Sequence, residues 1–158
     1  MYPPMLYFYP ETAKEMLSYR LHVIQGARDR ANETGYKGAR FPWESALTGR
    51  EVTPDCCPET RDLQIHITGD IAFALRQYVA TTRDTTWLKS AEPNATTVCQ
   101  MIREMAEFWN SRAVWNATTR FHDIRSTLTR KHGLTINWLK LIVENLKLFK
   151  FFRCYATR

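Results

Sequence analysis

The chain has 158 residues, of which 44% are hydrophobic and 13% aromatic, and its formal net charge is +6. That is enough apolar material for one globular domain, and it excludes a disordered tail, a collagen-like rod and a Gly/Ser linker. No apolar run reaches the ~18–20 residues that cross a bilayer. The opening MYPPMLYFYP lacks a basic start and carries three prolines, so no secretory signal is read and a cytoplasmic location is expected.

The charge is unevenly placed. Residues 1–119 hold 13 Lys+Arg against 14 Asp+Glu, a net of −1, whereas residues 120–158 hold 9 against 2, a net of +7. The excess that would suggest nucleic acid or an anionic membrane therefore belongs to the tail alone. The near-neutral remainder suits an uncharged substrate, and no nucleic-acid partner is expected. Cysteines stand at 56, 57, 99 and 154 without a C-x-x-C pair, so neither zinc spacing nor a disulfide framework is present. Adjacent Cys56 and Cys57 do not easily bond to each other across a trans peptide, and free, mostly unreactive thiols are expected.

In chain order, the spacing predicts a first helix over 11–34, with Ala13, Met16, Leu17, Ile24, Ala27 and Ala31 at helical steps. Pro10 and Gly35 bracket it as start and stop signals. Residues 35–64 contain three glycines and three prolines and read as a long loop, a type of segment that is often functional. A second helix is predicted over 67–83, with Ile67, Ile71, Ala74, Leu75, Tyr78 and Val79 on one stripe. A third follows over 97–113, with Val98, Met101, Ile102, Met105, Phe108 and Trp109 at i, i+3, i+4, i+7 spacing. A fourth is predicted over 135–153 in the basic tail. No strand is predicted, and the class is all-α.

The loop contains the densest mixture of glycine, aromatic and charge, G-Y-K-G-A-R-F-P-W-E-S-A at 35–46. An indole such as Trp43 can stack on the C–H face of a pyranose while Glu44 accepts hydrogen bonds from its hydroxyls. The alternative is a Trp43 that plugs the helix bundle while Glu44 pairs with Arg40. His66 and Asp70 lie four apart at the start of the second helix and share a face. They could be a ligand pair or a base with its orienter, or Asp70 could simply favour the positive helix end. Glu44 and Glu51 are the acids of the loop core, but their spacing does not mark a catalytic pair, and no nucleotide, zinc-protease or nucleophile-elbow motif occurs. The N-x-T triplets at Asn32, Asn94 and Asn116 are a mild excess compatible with a secreted or vacuolar history.

Taken together, M-Y-P-P at 1–4, Y-R-L-H-V-I-Q-G-A-R-D-R-A at 19–31, G-Y-K-G-A-R-F-P-W-E-S-A at 35–46, G-R-E-V-T-P at 49–54, I-H-I-T-G-D-I-A-F-A at 65–74 and E-F-W-N-S-R at 107–112 resemble glycoside hydrolase family 65, acid trehalase-like branch. The resemblance covers residues 1 to about 124. It implies part of a six-hairpin (α/α) toroid, with three or four helices present and the sugar site where the connecting loops gather. It also implies cleavage of α-glucosides by inversion, or phosphorolysis in one branch, with no metal or other cofactor. The implied substrates are glucosyl-galactosyl-hydroxylysine or a trehalose-like α-glucoside. Trp43 and Glu44 match the loop facing the sugar, and Arg40 and His66 lie in matching blocks.

The departures shape the remaining expectations. The family's W-D-x-E-x-W block stands just before the M-Y-P segment, so Met1 is expected to be an internal start. Its general acid lies in a P-D-E-Y motif just beyond Phe121-His122-Asp123-Ile124, where this chain reads Arg125-Ser126-Thr127 and has no Asp-Glu dipeptide anywhere. No catalytic acid or base carries over, and the chain alone is expected to be inactive. The organisation expected is a partial glycosidase domain over 1–124 and a basic tail of different character over 125–158. Self-association through exposed helix faces is expected of such a fragment. The competing reading is a small helical interaction module whose basic amphipathic C-terminal helix binds a membrane or partner.

Overall fold

The computed structural model of the protein describes residues 2–89, 96–118 and 120–124. Six helices come first: α1 (Tyr2–Phe8), α2 (Pro10–His22), α3 (Ile24–Glu33), α4 (Pro58–Leu63), α5 (Ile67–Thr82) and α6 (Val98–Arg112). A hairpin of β1 (Val114–Asn116) and β2 (Phe121–Asp123) follows, with Trp115 opposite His122. The predicted helix over 135–153 and the tail over 125–158 lie outside the described residues.

The predominantly helical class holds, with four local differences. First, α1 forms where the prolines suggested none. Pro3 and Pro4 occupy its first turn, where no intrahelical N–H is required, and Pro10 likewise begins α2. Second, the predicted helix over 11–34 is two helices broken at Val23, which has φ −99° and ψ 16°. Third, a short α4 interrupts the predicted loop, because Pro58 starts a turn that the preceding prolines obscured. Fourth, the hairpin adds two three-residue strands. The helices over 67–83 and 97–113 appear within a residue or so of their expected ends.

The apolar stripes do what their spacing required. From α6, Val98, Met101, Ile102 and Met105 are buried, joining Ile71, Leu75 and Tyr78 of α5 and Ala13 and Leu17 of α2, while Phe108 and Trp109 pack with Ile65 in a second cluster. Met16 departs from its stripe and is largely exposed. Thr97 caps α6 by accepting the Gln100 amide at 3.0 Å. Between α3 and α6, the Arg28 guanidinium grips Glu104 with two bonds of 2.7 and 2.8 Å. Asp84, just past α5, accepts from Lys14 of α2 at 3.0 Å and from Thr86 at 2.8 Å. Those bonds, with the Trp87 amide, hold its carboxyl down at about 2.

The loop lies directly on the α2–α3 junction. A Cβ at Gly26 would sit 2.4 Å from the carbonyl carbon of Gly49, and one at Gly49 would sit 2.5 Å from the Cβ of Val23. Backbone meets backbone here, with no space for a side chain. Gly26→Ala is therefore expected to cost about 3 kcal/mol or more, the upper range for overpacking. Gly35→Ala adds a Cβ in open space at φ +78° and should cost only about 1 kcal/mol from the left-handed backbone. Equal losses in urea unfolding would contradict the close contact.

Candidate functional site

Residues 39–42 are buried without regular structure, entered from Gly38, and the amides of Ala39, Arg40 and Phe41 each bind a different helix. Ala39 donates to the Glu104 carbonyl of α6 at 3.0 Å, Arg40 to the Ala27 carbonyl of α3 at 2.9 Å, and Phe41 to Oγ1 of Thr68 in α5 at 3.0 Å. A non-helical segment this deep must satisfy its polar groups from its neighbours, and three helices supply them. Ala39, Phe41, Pro42 and Thr68 are all buried. Gly38 begins the crossing at φ +74°, where any Cβ would strike the Glu104 carbonyl.

The segment emerges at Trp43 and Glu44, which the sequence marked. Trp43 is 38% exposed and does not plug the bundle. Its ring meets His66 edge-on, with centroids 5.6 Å apart and planes at 66°. Two of the four predicted residues thus touch directly. Glu44 is exposed, and among the described residues its carboxylate makes no hydrogen bond or ion pair. The alternative pairing with Arg40 does not form.

Arg40 lies beneath this surface, only 4% exposed, and its Nη2 donates to the carbonyl of Asp62 at 2.6 Å. It therefore sits at the C-terminal end of α4, where a cation is favoured. Burial, with repulsion from Arg30 and Arg112, pushes its guanidinium down to about 10, so it stays charged at neutral pH. Arg30 binds the Asp62 side chain at 2.7 Å and the Arg61 carbonyl at 3.2 Å. The two arginines together pin α4 to α3 and to the crossing segment.

His66 precedes α5, and its Nε2 lies 3.8 Å from the Asp70 carboxylate, beyond hydrogen-bond reach. Partial desolvation pushes the Asp70 carboxyl up, and His66 opposes this. Among the described residues no group of three His, Cys, Asp or Glu side chains could hold a metal, and no helix is long and apolar enough to cross a membrane. A polar cleft of about 330 Å³ between α3, α4 and the loop has Arg30, Arg50, Asp29 and Asp62 on its walls. Two ion pairs span it, Arg50 with Asp29 at 3.0 Å and Arg30 with Asp62 at 2.7 Å.

In the sequence Glu51 is marked only as a loop acid. Its carboxylate in fact organises the loop. It accepts from the amides of Trp43 at 3.1 Å, Glu44 at 3.4 Å and Thr53 at 3.1 Å, and from the Thr53 hydroxyl at 2.6 Å. The amide of Val52 returns to the Glu44 carbonyl at 3.1 Å, and the Tyr19 hydroxyl donates to the Ala46 carbonyl at 2.9 Å. The short E-x-T step at 51–53 was the signal available. Glu51→Ala should destabilise the fold by about 2–3 kcal/mol and open the loop to protease. Glu44→Ala should change stability by less than about 0.5 kcal/mol. Equal protease resistance of the Glu51 variant and the parent would contradict this role.

Comparison with known proteins gives this geometry its context. Residues 1–128 match the glycosyl hydrolase family 65 central catalytic domain. The chain is 40% identical over 128 residues to protein-glucosylgalactosylhydroxylysine glucosidase of Gallus gallus, covering 81% of this chain and 17% of that protein. It is 43% identical over 116 residues to the kojibiose hydrolase of Flavobacterium johnsoniae, covering 73% and 16%. Against the kojibiose phosphorylase of Caldanaerobacter subterraneus it is 40% identical over 121 residues, covering 71% and 15%. A solved kojibiose-phosphorylase-like structure from the human microbiome superposes with a TM-score of 0.63 at 23% identity, over 74% of this chain and 16% of that one. The chain spans less than a fifth of the length of these relatives. On the match over 1–128, it belongs to glycoside hydrolase family 65.

Proposed function

We propose that residues 1–124 supply part of the sugar-binding wall of a family 65 enzyme acting on an α-glucoside, as one section of an (α/α) toroid. The observation that carries this reading is the Trp43–Glu44 pair, held at the surface by buried residues on one side and by Glu51 on the other. An aromatic face beside an unpaired carboxylate suits a pyranose, whose C–H face and hydroxyls need those two partners. His66 steadies the indole, and Arg40 acts from below by fixing α4 rather than by touching the sugar.

The reaction proposed for the parent enzyme is inverting cleavage of an α-glucosidic bond. The candidate substrates are those of the similar proteins, glucosyl-galactosyl-hydroxylysine and kojibiose, along with trehalose-like α-glucosides. Inversion requires a general acid and a general base on opposite sides of the sugar. Among these 158 residues the family's acid motif is not found, and Glu44 and Glu51 do not form such a pair, since Glu51 is spent on loop donors. The chain by itself is therefore proposed to bind sugar without turning it over. The basic residues 125–158 are proposed as a separate unit. Tyr7, Phe8 and Tyr9, 68%, 76% and 64% exposed, are proposed as a surface for self-association.

Titration of the purified chain with glucose and kojibiose, read by calorimetry, tests the sugar wall. Weak binding is expected, reduced about tenfold or more by Trp43→Ala and by Glu44→Gln, as for loss of a charged hydrogen bond. Unchanged binding in both variants would overturn the assignment. Glucose release from kojibiose by the purified chain, lost in Glu44→Gln, would overturn the absence of turnover.

A further inference from the structure

The turn that leads into α4 brings together two thiols that the function above does not use. Cys56 and Cys57 are both exposed, and their sulfurs lie 3.1 Å apart. That is about 1 Å beyond the ~2.05 Å length of a disulfide bond. The backbone around them is fixed on both sides. The Cys57 amide donates to the Pro54 carbonyl at 3.0 Å, closing the turn Pro54-Asp55-Cys56-Cys57. Pro58 then begins α4 and keeps Cys57 out of the helical region, at φ −130° and ψ 55°. Arg61 draws the segment back onto itself, donating its amide to the Cys57 carbonyl at 3.2 Å and its side chain to Asp55 at 2.9 Å. Although adjacent cysteines do not easily bond across a trans peptide, these two sulfurs face each other across a turn held by two prolines.

We propose that Cys56 and Cys57 form a redox-active vicinal dithiol that closes reversibly into an eight-membered disulfide ring when exposed to a small-molecule disulfide. The reaction proceeds in two exchanges. The thiolate of one cysteine attacks a sulfur of the disulfide R-S-S-R, forming a protein mixed disulfide and releasing R-S⁻. The second cysteine gives its proton to solvent, and its sulfur attacks the protein sulfur of the mixed disulfide, releasing the second R-S⁻. Two protein thiols become one disulfide, and R-S-S-R becomes two R-SH. Holding the sulfurs together makes the second exchange intramolecular and fast relative to capture of a second oxidant. The hydrogen bond to Cys56, and the charge it would carry, keep the Cys57 thiol above its ordinary value, so the two do not ionise together.

The ring should be easily reopened. Adjacent α-carbons are about 3.8 Å apart across a trans peptide, less than the ~4.4–6.8 Å of relaxed disulfides. Strained and exposed disulfides have more oxidising potentials and are the labile ones. Cys99 offers a contrast, being part-buried against the core with its thiol pushed up by desolvation.

The test treats the full 158-residue chain with oxidised glutathione, then alkylates, cleaves with trypsin and weighs the peptide 51–61, which holds both cysteines. The expected peptide has lost two hydrogens, carries neither glutathione nor alkyl group, and regains both thiols in excess reduced glutathione. Cys56→Ser and Cys57→Ser should each retain one persistent glutathione. Because both sulfurs are exposed, these variants keep the fold. A wild-type peptide with glutathione on both sulfurs, or one cross-linked to Cys99 or Cys154, would overturn the proposal. As an independent check, phenylarsine oxide should bind one equivalent at this peptide and none in either variant. Equal arsenical uptake by parent and variants would also overturn it.

Discussion

Everything at the candidate site depends on one constraint: the buried path of residues 39–42 must pair its amides without a sheet. It does so by spreading three consecutive donors over three helices, Ala39 to α6, Arg40 to α3 and Phe41 to α5. Each such bond contributes only about 1 kcal/mol net, but leaving the donor buried and unpaired would cost about 1–3 kcal/mol. The segment therefore locks the relative placement of helices distant in sequence, and those helices in turn set the direction in which Trp43 and Glu44 leave the core. Thr68 is central to this, since a fully buried hydroxyl in the first turn of α5 receives the Phe41 amide.

A second layer of polar contacts secures what the crossing begins. Arg40 and Arg30 converge on the end of α4, and Glu51 gathers the amides that follow the crossing segment. These contacts are local and largely self-neutralising, consistent with the near-zero net charge of residues 1–119. The loop is long but not loose. Glycine serves contact as well as turning, because Gly26 of α3 and Gly49 of the loop let the loop backbone lie on the α2–α3 junction. A sugar-facing surface gains from such rigidity, since side chains already in position lose less entropy on binding.

Helix α6 was legible residue by residue, because its burial follows one period, and Thr97 caps its start. Helix α5 was equally plain. The break at Val23 was not, because the apolar spacing runs through it, and its close neighbour Gly49 stands twenty-six residues away. Helices α1 and α4 begin with prolines, which read equally well as loop signals. At the site, Trp43, Glu44 and His66 stood out by residue type. Arg40 stood out too, but its burial and its backbone partners depend on how α4 folds back. Glu51 and Thr68 gave almost no signal, since one acid and one hydroxyl among many acquire roles only through partners eight and twenty-seven residues distant.

Native-state hydrogen exchange at Ala39, Arg40 and Phe41 tests the central constraint most directly. If the crossing segment is the joint between α3, α5 and α6, these three amides should exchange only through global unfolding. Their opening free energies should then fall with urea along the same slope as the core amides of α6. Exchange at those positions through local opening, at rates near those of the exposed loop around Leu47, would contradict the account.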